Sequence, residues 1–174
     1  MRDTEIIEAL RSKLALPSGR HLYGVLGTYA GLAAFAEKIR QVRTPDGRCF
    51  PQPLSVNRGI LDTIPDAEFR TLVEDEAKRP EPTAAHVARA FEVFLRTQLQ
   101  DQVLVILAHL ELLFAYHVEF SLLRTMAADD TRILLLLPGK REAGKIIMFP
   151  DLDTGSYSLP PTLIAENHLW ELRE

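Results

Sequence analysis

At 174 residues the chain is long enough for one compact α/β domain with a buried core and short for two, so a single domain over residues 1–174 is expected. Apolar residues make up 47% and charged residues 25%, the balance of a globular protein, which excludes disorder as the main theme. A formal net charge of -4 and a pI near 5.8 exclude a global field that would draw the chain onto nucleic acid or anionic lipid.

In chain order, Thr4 to Leu14 places Ile6, Ile7, Leu10 and Leu14 on one helical stripe, ended by Pro17-Ser18-Gly19. His21 to Leu26 reads as a short strand. It runs into a glycine-bearing turn, Gly27-Thr28-Tyr29-Ala30-Gly31, and then a helix from about Leu32 to Val42. Pro53 to Val56 reads as a strand, and Pro65 suits the first turn of a helix reaching about Lys78. After the break at Arg79-Pro80-Glu81-Pro82, Thr83 is expected to cap an amphipathic helix carrying Val87, Phe91, Phe94, Leu95 and Leu99.

The period then changes. Val103 to Leu107 is apolar on both faces, as a central parallel strand covered by helices must be. Tyr116, Phe120, Leu123 and Met126 mark another helix, and Arg132 to Leu137 forms a second apolar strand ending at Pro138-Gly139. Lys145 to Phe149 and Ser156 to Leu159 read as short strands around the turn Asp151 to Gly155, an antiparallel edge hairpin. Trp170 is expected to dock the C-terminus. Strands alternating with helices predict a three-layer α/β domain with a mostly parallel sheet and a C-terminal antiparallel hairpin.

A lone cysteine, Cys49, forms neither an internal disulfide nor a multi-cysteine metal site, and Met1 to Glu5 lacks a secretory apolar core. A cytoplasmic location is expected. Apolar runs such as Val103 to Ala108 are too short to span a bilayer, so no membrane segment is expected.

The strand, loop and helix around Gly27 match the plan of a P-loop NTPase. There, glycines let backbone amides curve around phosphate, a lysine neutralises charge and a Ser/Thr hydroxyl holds magnesium. Counted from Gly27, the motif places Leu32 at the second glycine, Ala33 at the lysine and Ala34 at the hydroxyl; a shift to use Gly31 leaves Leu32 and Ala33 there. The lysine and the hydroxyl are therefore missing in both registers, and Lys38 lies about two helical turns on. Gly27, Thr28, Tyr29, Ala30 and Gly31 read either as a vestigial phosphate loop or as a plain strand-to-helix turn.

The second half of the motif is also altered. An acid belongs at the end of a neighbouring apolar strand to orient magnesium, and after Val103 to Leu107 that place is held by Ala108. The nearest acid, Glu111, is expected to be solvated or partner-facing, with polarisation of water as the alternative. His109 has no second histidine or cysteine at metal spacing, because His117 is expected on the following helix. No catalytic residue and no metal ligand is assigned.

Two segments carry a family resemblance. Leu107-Ala108-His109-Leu110-Glu111-Leu112-Leu113-Phe114 resembles the strand ending in an Asp-x-hydrophobic-Glu-hydrophobic-Leu-Phe box of BrxF, the small P-loop protein of type 3 BREX (bacteriophage exclusion) systems. Arg132 to Gly139 is similar to that family's strand ending in Pro-Gly or Asn-Gly, followed by a short hairpin like Gly144 to Phe149. The resemblance implies a P-loop-like fold and a place in a multi-protein phage-defence complex. The family's ATPase activity does not carry over, since Ala33 or Ala34 and Ala108 stand at its catalytic positions.

Lys140 and Arg141 follow the second central strand, where α/β sheets bind ligands, but in an acidic chain they read as a solvated basic turn. Glu74-Asp75-Glu76 reads as a solvated helix face. Ser55, Ser121, Ser156 and Ser158 lack the strand elbow that exposes a nucleophile. Phe114, Tyr116 and Trp170 are expected in the core, with a partner surface as the alternative.

The expected function is thus a non-hydrolysing accessory or assembly subunit acting through contacts with other proteins of a defence complex, compatible with a homo-oligomer. No cofactor is expected, with weak ATP binding as an open point and no direct nucleic-acid contact. The alternatives are an ATPase or nucleotide switch using Glu111 and Lys140, and a DNA-binding module using Lys140, Arg141 and Lys145.

Overall fold

The computed structural model describes residues 1–151 and 157–173. The fold is α/β, with a mostly parallel sheet and helices on both faces. Its elements are α1 (Asp3–Leu14), β1 (Leu22–Gly27), α2 (Tyr29–Arg40), β2 (Leu54–Ser55), α3 (Val56–Thr63), α4 (Asp66–Glu76), α5 (Pro80–Asp101), β3 (Leu104–Ala108), α6 (Glu111–Ala115), α7 (Ser121–Met126), β4 (Arg132–Glu142), β5 (Lys145–Met148), β6 (Tyr157–Ser158) and β7 (Leu169–Glu171). Strands β2-β3-β4-β1-β7 pair in that order, all parallel. The end of β4 pairs antiparallel with β5, and β5 with β6.

Alternation along the strands divides the core. Tyr23, Val25, Ile106, Leu134 and Leu136 face α1 and α2, while Leu22, Leu26, Val105, Leu107, Ile133, Leu135 and Leu137 face α3, α5, α6 and α7. Both faces of β4 are covered, which explains its unbroken apolar run; each such side chain contributes about 1.5–3 kcal/mol on burial. Helix α2 presents Leu32, Phe35, Ala36 and Ile39 to one layer, and α5 presents Val87, Phe91, Phe94 and Leu95 to the other. Among the described residues, no helix is long and apolar enough to cross a membrane.

Several expectations are corrected. Helix α2 opens at Tyr29 rather than Leu32, because the Thr28 hydroxyl caps it by accepting the Gly31 N–H at 3.1 Å. Helix α5 opens at Pro80, where the missing N–H is no loss, so Thr83 is a buried residue of the first turn and not the cap. Of the helix expected through Tyr116 to Met126 only α7 forms; Tyr116 is the C-cap of α6, and His117 sits between the two helices at φ 51. Strand β4 runs on past Pro138-Gly139 to Glu142.

Helix α3 was not expected at all. Ser55 caps it from the end of β2, and Gly59 at its middle lets the Phe94 ring of α5 lie against the backbone. A Cβ on Gly59 would stand 2.3 Å from Phe94 Cε2. The C-terminal Trp170 is buried, and its segment does more than dock: β7 pairs with β1. Of the turn expected at Asp151 to Gly155, and of the strand start at Ser156, all but Asp151 lies outside the described residues.

Candidate functional site

The connection leaving β1 runs to β2 at the far edge, whereas the one leaving β4 runs the other way to β7. The strand order therefore reverses at the C-terminal ends of β1 and β4, where open α/β sheets bind ligands. Gly27 is level with Pro138 there, and Ser55 with Ala108. A hollow of about 220 Å³ lies at this point, lined by Gly27, Thr28, Tyr29, Pro138, Gly139, Lys140, Pro150 and Asp151. It is smaller than the roughly 300 Å³ at which small-molecule sites begin.

The turn itself is short. Between the last strand residue, Gly27, and the first helical residue, Tyr29, stands only Thr28. Tyr29, Ala30 and Gly31 form the opening turn of α2, where the Gly31 N–H is taken by the Thr28 hydroxyl and the Leu32 N–H by the Thr28 carbonyl. Neither glycine needs a left-handed conformation; a Cβ on Gly27 would stand 3.1 Å from Leu172 Cδ1, so the glycine makes room for the C-terminal segment. A phosphate cradle needs several amides curving round one centre. One residue of loop does not supply that curve.

Glu111 opens α6 just beyond β3, and the structure corrects its expected solvation. It is half-buried, and its Oε1 accepts the Tyr29 hydroxyl at 2.8 Å while its Oε2 accepts the Asn57 side-chain N–H at 2.7 Å. Asn57 in turn accepts the Leu112 N–H at 3.0 Å and donates its own backbone N–H to the His109 carbonyl at 3.0 Å. The starts of α2, α3 and α6 are thus tied together behind the sheet edge. Burial, and then the bond to Glu111, push the Tyr29 phenol well above its ordinary value, so it stays a donor. With a side-chain donor from a different helix on each oxygen, the carboxylate is held in one orientation and joins these helix starts.

The remaining candidates are dispersed. His109 is exposed at φ 54, with only its backbone carbonyl engaged in this network, and His117 is exposed between α6 and α7. Lys38 pairs with Asp3 at 2.5 Å on the outer face of α2. Lys140 pairs with Glu142 at 3.4 Å, and Arg141 with Glu166 at 2.9 Å and Glu171 at 4.0 Å, so both basic side chains have acidic neighbours. Phe114 lies in the core, and Tyr116 is half-buried, donating to Glu76. Cys49 is exposed in the segment before β2.

Sequence reasoning missed Asn57 and the phenol of Tyr29. The signal available was position: a polar residue just past a short strand, and an aromatic hydroxyl just past β1, both come to the end of the sheet where Glu111 also falls. The chain matches no protein-family model, no curated protein and no solved structure.

Proposed function

We propose that the chain is a P-loop-NTPase-like accessory subunit of a bacterial phage-exclusion complex, one that works through protein contacts and does not hydrolyse ATP. The observation that carries this reading is the one-residue link between β1 and α2, capped by its own Thr28 and packed against Leu172. It occupies the place of a phosphate loop without the loop's length, lysine or hydroxyl. The two segments of the BrxF resemblance are neighbours in the sheet, with Leu107 beside Leu135, and the antiparallel run of β4, β5 and β6 fits the hairpin the resemblance implies.

Catalysis through Glu111 is disfavoured because both its oxygens hold structural donors. A DNA-binding role through Lys140 and Arg141 is disfavoured by Glu142, Glu166 and Glu171 beside them. The test is co-expression of the tagged chain with the proteins of a type 3 BREX system. The chain is expected to co-purify with the complex equally well with and without magnesium-ATP. Elution alone under both conditions, or retention only with nucleotide, contradicts the reading.

A further inference from the structure

Helix α4 packs on α5 and buries only Leu72. Phe69 and Val73 on α4 are 42% and 56% exposed, and Leu61 near the end of α3 is 46% exposed. These three side chains are not scattered, for all line one narrow hollow of about 60 Å³ bounded by α3, α4, α5 and α6. A contiguous apolar rim of this kind marks a contact surface more than a chance exposure does.

Thr83, Glu76 and Tyr116 bring polar groups to the same hollow. Thr83 is 7% exposed, and its hydroxyl has no hydrogen-bond partner among the described residues. Buried hydroxyls are rarely left unpaired, so this one is suited to an incoming polar group. Tyr116 donates to Glu76 Oε1, and an ionised carboxylate accepts more than one donor. On α4, Asp66, Phe69, Val73 and Glu76 follow at steps of three, four and three, which puts the apolar pair and an acid on each side of it along one helical face. Residues 62–81 hold seven acids and three bases, a net charge of -4 that equals the whole chain's.

We infer that this patch docks a basic amphipathic helix of a partner protein. Its aliphatic side chains lie on Leu61, Phe69 and Val73, and one lysine or arginine lays its apolar stem along them and brings its head group to Glu76 and Thr83. The acidic surround selects for the cationic helix and steers its approach. The inference rests on the accessory-subunit reading only for which complex owns that helix.

The test uses the whole chain and a fluorescent amphipathic peptide of leucine and lysine, about five helical turns long, with a leucine and glutamate peptide of the same pattern as control. Anisotropy is expected to show saturable binding of the lysine peptide alone, weakening as salt rises. Val73→Ser should weaken it about tenfold, and Glu76→Gln, which keeps an acceptor for Tyr116, several-fold with a shallower salt dependence. Unchanged unfolding midpoints establish that both variants are folded. Absence of binding, binding indifferent to both variants, or self-association of the chain abolished by Val73→Ser overturns the inference. Co-purification with BREX proteins that both variants retain in full overturns this patch while leaving the subunit reading standing; peptide binding with no co-purification does the reverse.

Discussion

Glu111 receives a phenol from the start of α2 and an amide from the start of α3, and Asn57 passes the connection on to the backbone of α6. Removing this half-buried acceptor leaves two donors without their partners, which is more damaging than the net worth of the bonds themselves. Glu111→Ala is therefore expected to lose about 1–3 kcal/mol in urea unfolding, and Tyr29→Phe about 1 kcal/mol. The two losses should not add, because they share a bond. Strict additivity in a double-mutant cycle would show that the observed contact carries no energy.

His21 is the other residue with an unusual setting. It is 1% exposed, its Nδ1 lies 2.7 Å from the Tyr23 hydroxyl, and its Nε2 is buried with no partner among the described residues. Burial, and then the charges of Arg132 and His168, hold its pKa below the ordinary histidine value against the opposing pull of Asp129; burial and then Lys13 do the same to His168, against a backbone hydrogen bond with Leu22. Both rings are thus neutral in the native protein at a pH where the unfolded chain already takes up protons. Stability is full above about pH 6.5 and falls as pH drops from there through the lowered native values. The urea midpoint should hold at about pH 7.5 and decline as the pH is taken below about 6.5. His21→Phe should flatten part of that decline, and an unchanged slope in the variant would remove His21 as a cause.

At the scale of elements, α3 shows how a short helix is specified by its neighbours. Ser55 supplies the cap, Val56 and Ile60 reach the core, and Gly59 leaves the space that the Phe94 ring of α5 fills. Gly59→Ala raises intrinsic helix propensity yet places a methyl group inside that ring. Overpacking of this kind costs about 1–3 kcal/mol, and the ring edge cannot yield without disturbing α5, so the variant is expected to unfold at lower denaturant. A stabilised variant would mean that helix propensity outweighs the contact between α3 and α5.

The same element explains what the sequence left hidden. The apolar strands β3 and β4 and helices such as α5 announce themselves through long apolar patterns, which burial on two faces or along one stripe imposes. Helix α3 has eight residues, a glycine at its centre and two buried side chains, so its helicity comes from tertiary packing that no local pattern displays. The opening of α2 was misplaced for a related reason. Expecting a phosphate loop between Gly27 and Gly31 postponed the helix to Leu32, while Thr28 was already an N-cap signal three residues before Gly31.

Across the whole molecule, residues far apart in sequence converge at the C-terminal edge of the sheet, and this is the least legible part of a chain read in order. Tyr29, Asn57 and Glu111 come together only because β1, β2 and β3 end side by side, with β4 inserted between β1 and β3. That Ala33, Ala34 and Ala108 carry no charge is visible in the sequence; the length of the link between β1 and α2 is not. For the proposed function that length matters more than any single side chain, since a phosphate cradle needs several loop amides and only Thr28 stands between β1 and α2.

A ligand that binds only the native state must raise the apparent stability, by about 2.7 kcal/mol at a hundredfold excess over its Kd. Thermal unfolding titrated with magnesium-ATP therefore tests the closed β1–α2 link most directly. The melting temperature is expected to stay constant over the whole titration. A saturable rise that depends on magnesium and is abolished by filling the hollow beside Gly139 would contradict it.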